Sequence, residues 1–443
     1  MKTSFSPYIL IVGFVYSIGT VGCKLREPEP TIRGKVYIEN IKGKYRLIRN
    51  GQPYTINGVC GQTDLKRLVA CGGNTIRTYD TIQLGKILDE AQSNNLAVMA
   101  GIFMPMSDDR KYSYDDSAWT AQNVAAIRQT VLQNKDNPAL LIWCVGNELN
   151  FRFGDTYDKF YEGFNKVVDM IHEVDPNHPV TTTIIDLNKS NIINVRRKTR
   201  VDIISFNVFN SPLQTFGRRK DNFSLFWDGP YLISEWGVDG PWGEGPKTSW
   251  QAPIELTSTE KAKQLGLCFD KYIPLHDNRL LGTFSFFWGF KQETTHTWFS
   301  FFSENGAASS MVAEMQRIWT GKYPLHLPPR IDGMQIDRHQ AKDELVFAPD
   351  SAFTVRVIIP DTNGLALKYD WKIYPEDWFK SGIDRNSEKL LSEVNGLNVS
   401  QEGDRAVFRT PAKEGPYRVF LLVYDQYGNF SSCNRPFYIL SKN

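Results

Sequence analysis

The sequence has little excess charge of either sign. Its 443 residues include 51 lysines and arginines against 49 aspartates and glutamates, which gives a formal net charge of +2 at pH 7. Proteins that bind nucleic acids usually carry a clustered basic excess, because they must neutralise the phosphate backbone. The charge balance therefore gives no support for a nucleic-acid partner.

Cysteine and histidine are also scarce, with six of each in the chain. Beyond the N-terminal segment the cysteines are an odd number without paired spacing: Cys60, Cys71, Cys144, Cys268 and Cys433. Disulfide-stapled domains and structural zinc sites both need paired residues at short spacing. We therefore expect no disulfide framework, no metal site and no cofactor, and we interpret these cysteines as small buried hydrophobic residues.

One long apolar run is present, at residues 8–16 behind Lys2, and it is too short to span a bilayer. It is typical of an export signal. The residues Thr20-Val21-Gly22-Cys23 that follow resemble a bacterial lipobox, in which the cysteine is lipidated. We expect residues 1–23 to be a signal peptide that ends at a lipidated Cys23, and the protein to be an outer-membrane lipoprotein of the cell envelope that touches the membrane only through this anchor. A plain cleaved signal, which would leave the protein periplasmic or secreted, is the alternative.

Short apolar runs alternate with helical patterns through most of the chain. Residues 24–50 are predicted to form a tether and a leading hairpin with its turn at Asn50-Gly51. Eight β-like runs follow, at 55–59, 75–79, 97–103, 140–145, 180–185, 201–209, 231–235 and 280–288. The clearest helical pattern between them covers Tyr157 to Val174. This alternation favours a (β/α)8 TIM barrel at residues 51–324, an α/β fold, over a doubly wound sheet.

The pattern changes after the proline-containing stretch Leu325–Pro329. Residues 330–443 alternate apolar and polar positions, and Asp425–Asn429 supplies a turn. These features predict a small C-terminal immunoglobulin-like β-sandwich.

Two glutamates, Glu148 and Glu235, stand at the ends of short apolar runs. Carboxylates are rarely buried without a partner or a task. Glu148 follows the fourth run and Glu235 ends the seventh, so both fall at the C-terminal ends of barrel strands, where TIM barrels carry their active sites. Two carboxyl groups at one mouth are what glycoside hydrolysis requires.

Four segments carry a resemblance to a known family: Arg49–Val59, Asn74–Tyr79, Trp143–Glu148 and Ser234–Gly237. Through these segments, residues 51–323 resemble the clan A retaining glycoside hydrolases, and most nearly the TIM-barrel catalytic domain of family 2. The most specific part is Asn-Glu after a tryptophan-containing strand, with Ser-Glu-Trp-Gly three strands later. The resemblance implies a retaining β-glycoside hydrolase.

The same resemblance implies roles for individual residues. Glu148 would be the acid/base and Glu235 the nucleophile, with their carboxyls about 5–5.5 Å apart as retaining enzymes require. Arg77 would lie beside Glu235 and keep it ionised. Asn147 would hydrogen-bond the sugar 2-hydroxyl, and Trp288 would form the floor of the subsite for the cleaved sugar.

One position departs from the family pattern. The sixth strand of family 2 relatives often ends with a tyrosine that hydrogen-bonds the nucleophile, whereas here Phe209 falls near that place. Asn207, or a tyrosine from elsewhere such as Tyr79 or Tyr231, could take over the contact. We also predict that Asn207 binds substrate.

Aromatic residues are plentiful around the seventh and eighth runs. Six of the eleven tryptophans fall there: Trp227, Trp236, Trp242, Trp250, Trp288 and Trp298. Aromatic platforms suit the apolar faces of equatorial pyranoses, so we expect Trp236 and its neighbours to bind substrate at the rim of a cleft. For half of them, packing between barrel and sandwich is the alternative. The predicted partner is a β-linked polysaccharide or oligosaccharide, with an endo-β-1,3-glucanase as the narrower hypothesis.

Two other functions stay open on the sequence alone. A β-glucan transglycosylase would use the same covalent intermediate and the same residues, and a non-catalytic carbohydrate-binding lipoprotein would use the barrel as a scaffold. The C-terminal sandwich could bind glycan through Trp371 or Trp378, or pack as a spacer, which the sequence favours.

Overall fold

The structure is a computed structural model that describes residues 35–441 with gaps at 110–112, 338, 340–343, 362–363 and 379–389; the side chains of residues 220–222 are also outside it. The predicted signal peptide, Cys23 and the tether before residue 35 lie outside the described residues, so their assignments stay predictions. In the part of the chain that is described, no helix is both long and apolar enough to cross a membrane.

A three-stranded antiparallel sheet opens the described chain. Its strands are β1 (Val36–Ile41), β2 (Lys44–Arg49) and β3 (Gln52–Tyr54). The turn between β2 and β3 lies at Asn50-Gly51, where both residues have positive φ (51° and 77°). Positive φ at both central residues is what a two-residue type I′ hairpin turn requires, so the sequence signal at this turn was correct.

Eight parallel strands close into a barrel, and each lies within one predicted run or within a residue of it. They are β4 (Ile56–Cys60), β5 (Thr75–Arg77), β6 (Ala97–Ile102), β7 (Leu140–Val145), β8 (Val180–Ile185), β9 (Ile203–Asn207), β10 (Tyr231–Trp236) and β11 (Leu280–Ser285). The strands pair around the ring in chain order, and β11 closes on β4. The prediction of a TIM barrel is confirmed.

The leading sheet covers the N-terminal end of this barrel. Strands β1 and β2 donate backbone hydrogen bonds of 2.9 and 2.7 Å to the carbonyls of Asn177 and Asn278. These two acceptors lie just before β8 and β11, on the side where the barrel strands begin. The C-terminal ends of the strands are left for the site.

Nine helices and one short 3-10 turn (Asp155–Tyr157) are described. The helices are α1 (Leu65–Ala70), α2 (Leu84–Ser93), α3 (Ser117–Asn134), α4 (Asp158–Val174), α5 (Lys189–Lys198), α6 (Asn210–Gln214), α7 (Phe216–Phe223), α8 (Ser258–Tyr272) and α9 (Ser310–Thr320). The start of α8 is fixed by a capping box, in which Thr257 and Glu260 each accept a hydrogen bond from the other's backbone N–H.

The barrel has one contiguous apolar core. Helix α4 shows how the sequence specifies it: Phe160, Phe164, Val167 and Ile171 recur at helical spacing, and all are buried against the barrel. The cysteines at positions 60, 71, 144, 268 and 433 are free and buried, as the sequence indicated.

The C-terminal region is a β-sandwich with its own core. Its strands are β12 (Gly333–Ile336), β13 (Val346–Phe347), β14 (Ala352–Ile358), β15 (Lys368–Pro375), β16 (Asn398–Glu402), β17 (Arg405–Arg409), β18 (Gly415–Tyr424) and β19 (Phe430–Ile439). They form two four-stranded sheets, in the orders β12-β14-β17-β16 and β13-β19-β18-β15. Trp371, one of the candidate glycan-binding residues, is buried in this core.

Candidate active site

Glu148 follows β7 at the C-terminal end of the barrel. It is half-buried and has a φ of +55°, the left-handed conformation that non-glycine residues rarely adopt. Such strain persists where the surrounding structure holds it in place, often at functional sites. Here Nδ2 of Asn207 donates a 2.8 Å hydrogen bond to Glu148 Oε1.

Glu235 lies on β10 and is only 6% exposed. Two donors contact the same carboxylate oxygen, Oε1: the Arg77 guanidinium at 2.8 Å and the Tyr79 hydroxyl at 2.8 Å. A charge-assisted hydrogen bond and an ion pair of this geometry both favour the ionised carboxylate. The predicted partnership of Arg77 with Glu235 is present in the structure.

Arg77 connects the strands that carry the two glutamates. Its side chain is buried, and its NH1 donates to the Ser234 carbonyl (2.8 Å) and to Asn207 Oδ1 (3.1 Å). Its NH2 donates to Asn147 Oδ1 (2.7 Å) and to Thr183 Oγ1 (3.2 Å). The guanidinium also lies 4.7 Å from the centre of the Tyr79 ring, within cation–π range. One cation thus orders residues from five barrel strands or their ends.

Burial governs the titration of this cluster. Burial and the nearby Glu148 raise the pKa of Glu235, Arg77 and the Tyr79 hydrogen bond lower it, and the net result is a pKa of about 7. Burial likewise raises the pKa of Tyr79 well above its usual value, so Tyr79 keeps its proton and acts as a donor. Arg77 and Tyr79 both favour the ionised form of Glu235, because each lowers its pKa.

In the structure, Tyr79 donates the hydrogen bond to Glu235 that the family pattern expects from a tyrosine at the end of the sixth strand. Of the other candidates, Asn207 bonds Glu148 instead, and the hydroxyl of Tyr231 lies 3.2 Å from Asp277. Phe209 packs at the rim of the cleft, with its ring 5.9 Å from those of Trp242 and Phe286.

Two predicted substrate-binding residues, Trp236 and Trp288, lie outside the cleft and have no exposed surface. Trp236 packs against Phe269 of α8, because it follows Glu235 on the strand and successive side chains alternate between the inside and the outside of a barrel. Trp288 packs against Phe302, and its indole donates to the Thr63 carbonyl at 2.5 Å. This placement corrects the sequence-based assignment, since both tryptophans belong to the core.

The cleft above the two glutamates has a volume of about 1060 Å³. Its lining includes the predicted Asn147, Glu148, Asn207 and Glu235. It also includes residues that the sequence reasoning did not assign: Asp80, Asp186, Asn210, Pro212, Phe286, Phe287, Phe290, Lys291, Gln292 and Glu293. Asp80 and Asp186 come directly after the ends of predicted runs, so the strand-end rule that identified the glutamates could have found them.

Among the six clustered tryptophans, Trp242 is the one that lines the cleft, and it is 56% exposed. The other aromatic lining comes mainly from Phe286, Phe287 and Phe290, which follow β11. Among the described residues, no group of three or more histidine, cysteine or carboxylate side chains is arranged to hold a metal ion.

Several solved structures of low sequence identity are similar to this one. The structure is similar to a β-glucuronidase from Bacteroides uniformis (14% identity, TM-score 0.49, covering 92% of this chain and 48% of that one). It is also similar to a family 2 β-galacturonidase from Eisenbergiella tayi bound to galacturonate (14% identity, TM-score 0.50, covering 66% of this chain and 56% of that one). A third similar structure is that of the Bifidobacterium dentium β-glucuronidase complexed with coumarin-3-O-glucuronide (14% identity, TM-score 0.50, covering 66% of this chain and 50% of that one). The chain spans about half the length of these proteins.

No curated protein matches the sequence. A family profile does match, described as "Glycosyl hydrolases family 2, TIM barrel domain", over residues 77–298, which is half of the chain. The matched segment runs from Arg77 through both glutamates. The chain therefore belongs to glycosyl hydrolase family 2.

Proposed function

We propose that this protein is a retaining β-glycoside hydrolase in which Glu148 is the acid/base and Glu235 the nucleophile. The observation that carries the proposal is the pair itself, at the C-terminal ends of β7 and β10 and joined through Asn207 and Arg77. Both carboxyls line one cleft, and family membership supports the same roles.

In the first step Glu148 gives its proton to the glycosidic oxygen while Glu235 attacks the anomeric carbon. The bond between that carbon and the leaving oxygen breaks, and a covalent glycosyl-enzyme forms. Arg77 and Tyr79 both contact Oε1 of Glu235, so Oε2 is the oxygen left for attack. Holding the carboxylate from one side orients it without occupying the attacking atom.

In the second step Glu148, now ionised, takes a proton from water, and the water oxygen bonds to the anomeric carbon. The bond to Glu235 breaks, which releases the sugar with its original β configuration. Asn147 accepts from Arg77 and Asn207 through Oδ1 (2.7 and 3.3 Å), which directs its Nδ2 to serve as the donor to the sugar 2-hydroxyl.

We propose further that the sugar cleaved is neutral. Besides the catalytic pair, three carboxylates line the cleft, at Asp80, Asp186 and Glu293. Two of these carboxylates have a cation beside them: Lys291 lies 3.7 Å from Glu293, and Arg219 lies 2.8 Å from Asp186. A uronic acid would bring a further negative charge among these groups, and like charges at short range are repulsive.

The size and aromatic lining of the cleft support an oligosaccharide or polysaccharide as substrate. A volume of about 1060 Å³ exceeds what one pyranose ring fills, being at the upper end of ligand pockets. An endo-acting β-1,3-glucanase is the narrower form of the proposal.

The test is a substrate panel with the purified protein. Aryl β-glucoside, β-galactoside, β-mannoside and β-glucuronide report the sugar, and laminarin, lichenan, galactan and mannan report the polymer. We expect hydrolysis of at least one neutral aryl glycoside and little or none of the glucuronide. Efficient cleavage of the glucuronide would contradict the neutral-sugar proposal, and inactivity of the wild type on every β-glycoside would contradict the hydrolase.

Two alternatives are separated by the same assays. A transglycosylase would release elongated oligosaccharides instead of shortened ones. A non-catalytic binding protein would behave like its Glu235→Gln variant on every glycan offered.

We also propose that the protein acts outside the cytoplasm, as a lipoprotein anchored through Cys23. Metabolic labelling with a fatty acid should mark the wild type and leave Cys23→Ala unlabelled. Equal labelling of the two, or no labelling of either, would contradict the anchor.

A further inference from the structure

The connection between β11 and α9 forms one wall of the cleft. Phe286, Phe287 and Phe290 come from it, and so do Lys291, Gln292 and Glu293. This wall has little regular secondary structure, so its position must be set by side chains that hold it from behind.

Glu255, in the connection between β10 and α8, holds the wall from the barrel side. The hydroxyl of Thr295 donates to its Oε2 at 2.6 Å, and the hydroxyl of Thr297 donates to its Oε1 at 2.7 Å. Lys261 forms a buried ion pair with Glu255 and also donates to the Thr297 carbonyl at 2.6 Å. Thr295 is two residues from Glu293 in the cleft lining, and the two are paired through their backbones.

The sandwich completes the same network. From β19, Nδ2 of Asn434 donates to Glu255 Oε2 at 2.7 Å. From β18, Arg418 donates to the Pro253 carbonyl and to Asn434 Oδ1, each at 2.7 Å, and pairs with Glu376 at 2.6 Å. These side chains are buried between the two regions.

Two more contacts join the wall to the sandwich. The ring of His296 packs 4.4 Å from Phe420 of β18, centre to centre. Further along the wall, Ala308 exchanges backbone hydrogen bonds of 3.0 and 2.9 Å with Gly428 and Phe430. The wall is therefore attached to the sandwich at both 296 and 308.

We propose that the sandwich is a working part of the catalytic unit, and that Asn434 and Arg418 are positioning residues for the cleft wall that carries Phe290 and Glu293. The inference rests on the proposed hydrolase function for its kinetic consequence. It replaces the spacer role that the sequence favoured for the sandwich.

Asn434 is the most informative residue to change, because it is uncharged and is the sandwich residue that hydrogen-bonds Glu255 directly. Removing Arg418, Glu376, Glu255 or Lys261 would leave a buried charge without its partner, which is strongly destabilising. Asn434→Ala removes the hydrogen bond that Asn434 donates to Glu255 and the one that it accepts from Arg418. Asn434→Asp keeps an acceptor for Arg418 but places a second carboxylate against Glu255. A matched control is Val355→Ala, which opens a cavity in the core of the other sheet, away from the barrel.

The experiment compares the full-length wild type, both Asn434 variants and Val355→Ala, well below their melting temperatures. We expect KM for a neutral aryl β-glycoside to rise on the order of tenfold in Asn434→Ala and more in Asn434→Asp, with kcat less affected, because a displaced wall weakens binding of substrate and transition state alike. Amide hydrogen exchange in residues 286–297 should quicken in both variants. Val355→Ala should lose melting temperature without either change.

Unchanged exchange in residues 286–297 of Asn434→Ala, or the same kinetic change in Val355→Ala, would overturn the positioning role. The exchange measurement needs no substrate. If the wild type hydrolysed no β-glycoside, the proposed function would fail, and exchange alone would still decide whether the sandwich holds the wall.

Discussion

The hydroxyl of Tyr79 donates a 2.8 Å hydrogen bond to Oε1 of Glu235, the oxygen that Arg77 also contacts. Tyr79 follows β5 and shares its strand end with Arg77, so one short segment supplies both groups that hold the proposed nucleophile. Near the end of the sixth strand, Phe209 stands where the family pattern has a tyrosine, and its ring has no hydroxyl to donate to Glu235.

Replacing Tyr79 with phenylalanine should slow the reaction and shift its pH profile. A hydrogen bond to a charged group contributes about 1.5–3 kcal/mol, so we expect kcat/KM to fall roughly ten- to a hundredfold. The bond lowers the pKa of Glu235, so its loss should raise that pKa and move the acid limb of the profile to higher pH. Tyr231→Phe, which loses a hydrogen bond to Asp277, is the control and should keep the wild-type limb.

Replacing Glu148 with alanine should remove proton donation but spare the attack by Glu235. General acid catalysis contributes about 10²- to 10⁴-fold to the rate, so kcat/KM for substrates with poor leaving groups should fall by about that factor. A dinitrophenyl glycoside, whose leaving group needs no proton, should still form the glycosyl-enzyme. Added azide should then restore turnover and yield the β-glycosyl azide. Rescue of Glu235→Ala to the same β product would contradict the assignment of the two roles.

Glu235 should make the folded protein less stable as the pH rises. Its pKa is raised from 4.5 to about 7 in the folded state, so the folded state favours the protonated carboxyl. That contribution is complete below pH 4.5 and is lost as the pH rises to about 7. Between pH 4.5 and pH 7, the free energy of unfolding of Glu235→Gln should rise by on the order of 3 kcal/mol relative to that of the wild type. Denaturant unfolding of both proteins at pH 4.5 and pH 8 measures it, and a difference that does not change with pH would refute the expectation.

Two tryptophans should respond in opposite ways to replacement by alanine. Trp242 is exposed in the cleft, so Trp242→Ala should raise KM for oligosaccharides and leave the melting temperature nearly unchanged. Trp288 is buried, so Trp288→Ala should destabilise the fold by about 3–5 kcal/mol. Kinetics and thermal unfolding of both variants distinguish the two, and a Trp288→Ala variant of normal stability with a raised KM would restore its assignment to the substrate.

The barrel could be predicted from the sequence because its strands are buried on both faces and appear as continuous apolar runs. Glu148 and Glu235 were found because each stands at the end of such a run. The family resemblance implied a substrate-binding role for Trp288, but β11 ends at Ser285 and Trp288 lies beyond it in the core. Strand alternation could have placed Trp236 outside the barrel, since its neighbour Glu235 points inward.

The link between barrel and sandwich could not be predicted. Its members come from two distant stretches of the sequence, Glu255 and Lys261 in one and Arg418 and Asn434 in the other, and no periodicity or motif relates the two stretches. Their buried positions follow from how the two regions pack. The aromatic wall after β11 was visible as composition, but only packing decides which of its rings face the cleft.

The stereochemistry of the first-formed product tests the central claim most directly. Proton NMR of an aryl β-glycoside hydrolysis, recorded before mutarotation, reports which anomer the enzyme releases. If Glu235 forms a covalent intermediate and Glu148 activates the water that resolves it, the β-anomer appears first. Initial release of the α-anomer would show single displacement and would contradict the roles proposed for both glutamates.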